Sequence, residues 1–118
     1  MNRNMDLLRD IVMSVADNES VRVEGCDPAT VDYHARLLEE GGLLSGYSQK
    51  KMASQFAVDA PRLTWLGHEF LDLSRNQERW QSASQLTAGV GGVSYQVWTE
   101  TLTRLAREEV EQRLDDND

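Results

Sequence analysis

Shortages set the first bounds on this chain of 118 residues. Cys26 is the single cysteine, so no internal disulfide can form, and a lone thiol suits a reducing compartment. No run of about 18 apolar residues occurs that could span a bilayer, and the opening MNRNMDLLRD lacks the continuous apolar stretch of a secretory signal. A cytoplasmic protein with no membrane partner is the expectation. Basic charge is also short: 12 Lys and Arg stand against 20 Asp and Glu, a formal charge of −8. Residues 1–60 and 61–118 each hold ten acids and six bases, so neither half is a basic arm for nucleic acid. Asp115, Asp116 and Asp118 make the one local extreme, which reads as a solvated terminus.

The spacings that carry catalytic or cofactor chemistry are missing as well. Cys26, His34 and His68 form no paired motif of the kind a structural zinc ion needs, and no glycine-framed nucleophile surrounds Cys26. The glycines of AGVGGVS lack the Lys and the Ser or Thr that hold nucleotide phosphates, and they read as a turn. His34 beside an apolar helix face reads as a hydrogen-bonded packing histidine, with His68 in kind. Trp65, Trp80 and Trp98 read as core or interface anchors. We therefore expect no enzyme, no cofactor and no metal.

What is present is helical spacing with clear punctuation. Met5, Leu8, Ile11, Val12 and Val15 recur at helical intervals over 5–17. SVRVEG alternates like a short strand with one face buried. DPAT offers Asp27 as an N-cap ahead of Pro28, and the helix that follows turns Val31, Ala35 and Leu38 inward before Gly41 and Gly42 end it. Leu44 to Tyr47 and Arg62 to Thr64 read as hairpin arms around a polar tip at 48–60, expected to be mobile and first cut by protease. Thr64 caps a helix whose Leu66, Phe70 and Leu73 share a face, and Gly67 within it predicts close approach of another helix. Asn76 caps a helix carrying Trp80, Ala83 and Leu86. Ser94 caps the last, from Tyr95 to about Leu114, with Trp98, Leu102, Leu105 and Val110 inward and Glu100 and Arg104 four apart outside.

The order helix, short strand, helix, hairpin, helix is that of a winged helix-turn-helix domain with its second helix abbreviated, a two-stranded wing and two additional C-terminal helices. The fold class is α+β and mostly helical. One domain is expected, with 1–76 as the winged-helix core and 77–118 as a helical hairpin packed on it. VDYHARLLEEGGLLSG and RLTWLGHEFLD, with MDLLRDIV and Trp80, resemble a phage- and prophage-associated winged-helix family of unknown function, the YjcQ-like group. That resemblance implies the fold and a mobile-element origin. It transfers no catalytic residue.

Binding is then the expected function, and charge decides between partners. The side of the second helix that would face a groove carries Thr30, Asp32, Tyr33, Arg36, Glu39 and Glu40, whose sum is negative and opposes a phosphate backbone. Only Lys50, Lys51 and Arg62 on the wing, against Asp59, favour phosphate contacts. The leading expectation is a protein partner met through Asp32, Tyr33, Arg36, Glu39 and Glu40, in a modulator of host nucleic-acid-processing or defence machinery. A winged-helix DNA-binding transcriptional regulator is the alternative. The apolar C-terminal helix either clamps the core or pairs two copies as a homodimer.

Overall fold

The computed structural model describes residues 1–48 and 61–117. Helix α1 (Met5–Asn18) begins at Asn4, whose Oδ1 accepts the amides of Asp6 and Leu7. A side-chain oxygen there satisfies amides that have no partner inside the helix. Its buried face is Leu7, Leu8, Ile11, Val12 and Val15, the stripe its spacing predicts. The expected strand over Val21–Val23 is not formed. Ser14 is the reason visible in this segment: its hydroxyl donates to the Ser20 carbonyl at 2.7 Å and accepts the Arg22 amide at 3.2 Å. That anchors the segment against α1 and leaves Val21 and Val23 half-buried in coil.

Helix α2 (Pro28–Glu40) starts as expected, with Asp27 accepting the Thr30 amide at 3.3 Å and proline in the first turn. Val31, Ala35 and Leu38 are buried. The exit is a two-bond C-terminal turn in which the Leu43 amide donates to Leu38 and the Gly42 amide to Glu39. Gly42 takes φ +81°, a conformation that a side chain would strain. Leu43 is buried directly after it.

Strands β1 (Leu44–Ser45) and β2 (Arg62–Leu63) pair antiparallel, Leu44 opposite Leu63 and Ser45 opposite Arg62. Leu44 and Leu63 point inward while Arg62 is exposed. α1 packs on α2 and β2, and α2 packs on β1. The expected tip, with Lys50 and Lys51, lies outside the described residues apart from Ser48.

Helix α3 (Trp65–Ser74) is capped by Thr64, whose Oγ1 accepts the Gly67 amide at 3.1 Å. Its buried side is Gly67, Phe70, Leu71 and Ser74, spaced three, four and seven apart. This corrects the face expected from Leu66, Phe70 and Leu73. Leu66 is exposed and Leu73 half-buried, because the glycine, not the leucine beside it, is what lies against the chain. Gly67 also has a different reason from the one expected. A Cβ there would collide with the carbonyl oxygen of Leu43 and stand 3.1 Å from the Leu63 Cβ, so the close approach is that of the hairpin backbone and not of a helix.

Helices α4 (Gln77–Ala88) and α5 (Tyr95–Asp116) pack on each other. Asn76 and Ser94 cap them as their positions predict. Trp80 and Trp98 are buried with ring centroids 4.5 Å apart, and Ala83, Thr87 and Leu102 are buried beside them in sequence spacing. Arg79 donates from Nε to Glu109 at 2.7 Å and from Nη1 to the Asp72 and Leu73 carbonyls. The inward position expected for Val110 is wrong, since it is exposed. On α4, Trp80 and Ala83 are buried and Leu86 is exposed, and the hydroxyl of Thr87, bonded back to the Ala83 carbonyl at 2.8 Å, lies on the buried side.

Among the described residues the architecture is five helices and one two-stranded sheet, an α+β arrangement that is mostly helical. The chain divides into two compact units, Met1–Leu71 and Asp72–Asp118, with the division inside α3. None of the described helices is long and apolar enough to cross a membrane.

Alanine is a better helix former than glycine by about 1 kcal/mol, yet Gly67→Ala should destabilise the protein. Forcing the Leu43 carbonyl away costs on the order of 1–3 kcal/mol, as overpacking does elsewhere. Urea unfolding checks this, and a midpoint that stays put or rises would show that α3 can draw back without loss.

Candidate interaction surface

The inward side of α2 fixes what its outward side can offer. Besides its aliphatic residues it buries His34, which is 1% exposed. The His34 Nε2 accepts the Asn4 amide at 2.8 Å, so the ring proton sits on Nδ1 and is donated to the Thr30 carbonyl at 2.8 Å. Both nitrogens are used, and the packing role expected of His34 is the one found. His68 differs from that expectation: it is exposed, on a flank of α3 turned away from the buried side.

The outward side holds the five residues expected to meet a partner. Arg36 and Glu40 are exposed, and Asp32, Tyr33 and Glu39 are half-buried. Two of the acids are committed within the chain. Asp32 Oδ2 takes Arg36 Nε at 2.9 Å, one helical turn away, and Asp32 Oδ1 accepts the Tyr47 hydroxyl at 2.5 Å. Glu39 Oε2 accepts the amides of Tyr47 and Ser48 at 3.0 and 3.1 Å, and its Oε1 accepts the Ser48 hydroxyl. Glu39 thus caps the backbone beyond β1 as an N-cap side chain caps a helix, from eight residues away. Among the described residues Glu40 makes no such bond, and it is exposed.

Charges in this network follow its bonds. Burial pushes the Glu39 carboxyl up, but the Ser48 hydroxyl, the Ser48 and Tyr47 amides and the Arg36 charge outweigh it and hold the group below the ordinary carboxylate value. Burial, then the bond to Asp32 and its negative charge, push the Tyr47 phenol up to about 12. The hydrogen bond to Asp32 and its charge likewise raise Arg36. Glu39, Tyr47 and Arg36 therefore keep fixed protonation across the physiological range. The network is built to hold geometry, not to move a proton.

Tyr47 and Ser48 were not singled out by the sequence. The signal was there in part: a serine two residues after Gly46, at the end of a strand, is a capping residue, but nothing local says that its own amide is capped by Glu39. Arg62, expected to touch phosphate, is exposed on β2 and lines a cleft of about 650 Å³ with Glu19 and His68. Lys50 and Lys51 lie outside the described residues. Cys26 is exposed at a smaller cleft of about 330 Å³ shared with Arg22, Val31 and Tyr47. Among the described residues no three His, Cys, Asp or Glu side chains gather to hold a metal ion.

Residues 2–94 match the family model described as "Hypothetical protein (DUF2513)", a span that ends on the N-cap of α5. An uncharacterized protein of Haemophilus influenzae is 35% identical over 89 residues, covering 70% of this chain and 75% of that protein. No solved structure matches the chain.

Removing the Glu39 carboxylate should loosen the residues it caps. Glu39→Ala should cost about 1 kcal/mol, the usual worth of a lost cap. Because its folded-state pKa is lowered, its contribution is present at neutral pH and fades as pH falls through the carboxylate range. The stability gap between wild type and Glu39→Gln should therefore narrow on acidification. A gap that is constant from neutral to acid pH would show that the carboxylate charge does not hold this turn.

Proposed function

Since the chain belongs to the DUF2513 family, a family of unknown function, we propose that it is a non-enzymatic, cytoplasmic binding protein of winged-helix type that engages a protein partner through the exposed side of α2. The order of helix, abbreviated connection, helix, two-stranded hairpin and helix supports the fold reading, and the resemblance noted above supports a phage or prophage origin. A modulator of host nucleic-acid-processing or defence machinery fits both, since such machinery displays basic surface.

The observation that carries this reading is the pairing of Arg36 with Asp32. Arg36 is the one base on the outward side of α2, and half its side-chain surface is covered with its guanidinium held at 2.9 Å from a carboxylate. A helix laid against phosphates would have to break that pair and bring Glu40 toward like charge. Against a protein the same side offers the phenol of Tyr33, the neutral Asp32–Arg36 pair and the exposed carboxylate of Glu40. Tyrosine and arginine at a partly desolvated centre are the residue types that dominate protein interfaces. α5 leaves Val97, Val110 and Leu114 exposed, the side chains through which a second copy would pair.

DNA binding is the alternative reading, favoured by the exposed Arg62 on the hairpin. Two measurements separate the readings. Tyr33→Ala with Glu40→Lys should abolish capture of a purified partner, and Glu40→Lys alone should weaken it while leaving stability within about 0.5 kcal/mol of wild type, as exposed changes do. A specific DNA site bound with a steep negative salt slope, and bound more tightly by Glu40→Lys, would replace this reading with the regulator.

A further inference from the structure

Trp65 is 79% exposed and its neighbour Leu66 57% exposed, at the first turn of α3. Scattered apolar residues on a surface are ordinary, but these two adjoin and together present on the order of 300 Å² of side chain, the scale at which a patch acquires a role. The other two tryptophans are buried against each other. Successive helical residues turn by about 100°, so the exposed Trp65 stands between Glu69, about 40° round the helix, and His68, about 60° round on the other side, with Leu66 about 100° round beyond Glu69. Glu69 is exposed and one turn from Trp65, near enough for both to touch the same group. Leu66 extends the patch to the end of α2, its Cδ1 lying 3.9 Å from where a Gly42 side chain would begin, two residues beyond the exposed Glu40. The indole therefore has the exposed Glu69 carboxylate one helical turn away. Arg62, the base nearest in sequence, lines a cleft with Glu19 and His68.

We infer that Trp65, Leu66 and Glu69 form a docking patch for a basic segment of a protein partner, an arginine beside an apolar side chain. The indole face attracts a guanidinium, and the attraction grows when water is excluded. Glu69 supplies the charge-assisted hydrogen bond, and Leu66 receives the apolar neighbour. Charge selects this occupant: the Glu69 carboxylate beside the indole attracts a guanidinium and opposes phosphate and acidic peptides alike. The inference rests on the protein-partner reading above and adds a second contact on α3 to the one on α2.

The tryptophan indole N–H resonances of the full chain test it, with the buried Trp80 and Trp98 as internal controls. The probes are blocked Arg-Leu-Arg-Leu-Arg, blocked Glu-Leu-Glu-Leu-Glu and a short oligothymidylate. The basic peptide should shift the Trp65 resonance along a saturable curve, leave Trp80 and Trp98 in place, and bind about fivefold more weakly to Glu69→Lys, the worth of an exposed charge contact. Neither acidic probe should move it. An unmoved Trp65, an equal response to the acidic peptide, a response to oligothymidylate or full binding by Glu69→Lys would each overturn the inference. If Tyr33→Ala with Glu40→Lys abolishes partner capture while Trp65 ignores the basic peptide, the patch is lost and the partner reading stands. If Trp65 responds while the α2 variant captures as wild type does, the α2 surface is what fails.

Discussion

The backbone of Gly42 and Leu43 is where the first unit is tied together. α2 ends there by handing the Leu43 amide back to Leu38. The Gly42 carbonyl then accepts the Thr64 hydroxyl, and the Leu43 carbonyl accepts the Thr64 amide at 3.1 Å. Thr64 in turn receives the Gly67 amide, and Gly67 has no side chain because the Leu43 carbonyl occupies that space. One helix end, both strands of the hairpin and one helix start thus share a few polar atoms. The Leu38 carbonyl and the Gly67 amide among them are groups that a helix terminus would otherwise leave without a partner. Buried at Leu43 and Leu63, they could not turn to water instead. A change at Gly42, Thr64 or Gly67 would therefore disturb several elements at once.

The direction in which α2 leaves this junction determines what its acids do. Once Leu44 and Ser45 run back as β1, Tyr47 and Ser48 arrive beside the outward side of α2, within reach of Asp32 and Glu39. The acidic character of this helix is then partly structural. Carboxylates that look like a displayed charge pattern are acceptors for the chain that returns past them. The net charge of −8 gives no measure of what a partner meets. The outward side of α2 carries Asp32, Arg36, Glu39 and Glu40, of which Asp32 and Arg36 cancel as a pair while Glu39 is turned to the returning chain and Glu40 is exposed.

Much of the frame was legible in the sequence because its signals are local. Caps at Asp27, Thr64, Asn76 and Ser94, the glycine exit of α2 and the apolar stripes of α1 and α2 each depend on residues within one or two turns. The pairing of Leu44 with Leu63 was legible through the two apolar arms, although the strands are shorter than expected. The failures share a cause. The strand expected at Val21–Val23 rested on alternation, which says nothing of whether a pairing partner exists, and Ser14 holds that backbone instead. The face of α3 was set by assuming that the larger residue is the buried one. Gly67 lies inward while Leu66 does not, because close approach favours the smaller group. The engagement of Asp32 and Glu39 joins residues eight to fifteen positions apart across a turn, which no helical period reports.

The same preference for close approach explains why Trp65 is outside. α3 can seat Gly67 against the Leu43 carbonyl only in one rotation, and that rotation carries the positions two residues before and one residue before the glycine away from the core. Trp65 and Leu66 stand at those positions. Their exposure is thus a geometric consequence of a backbone contact, not a defect of packing that a small shift could repair. Turning α3 to bury the indole would drive a Cβ or backbone into the hairpin. A patch held open by such a constraint is preorganised, and a partner that covers it has little ordering cost to meet at α3 itself.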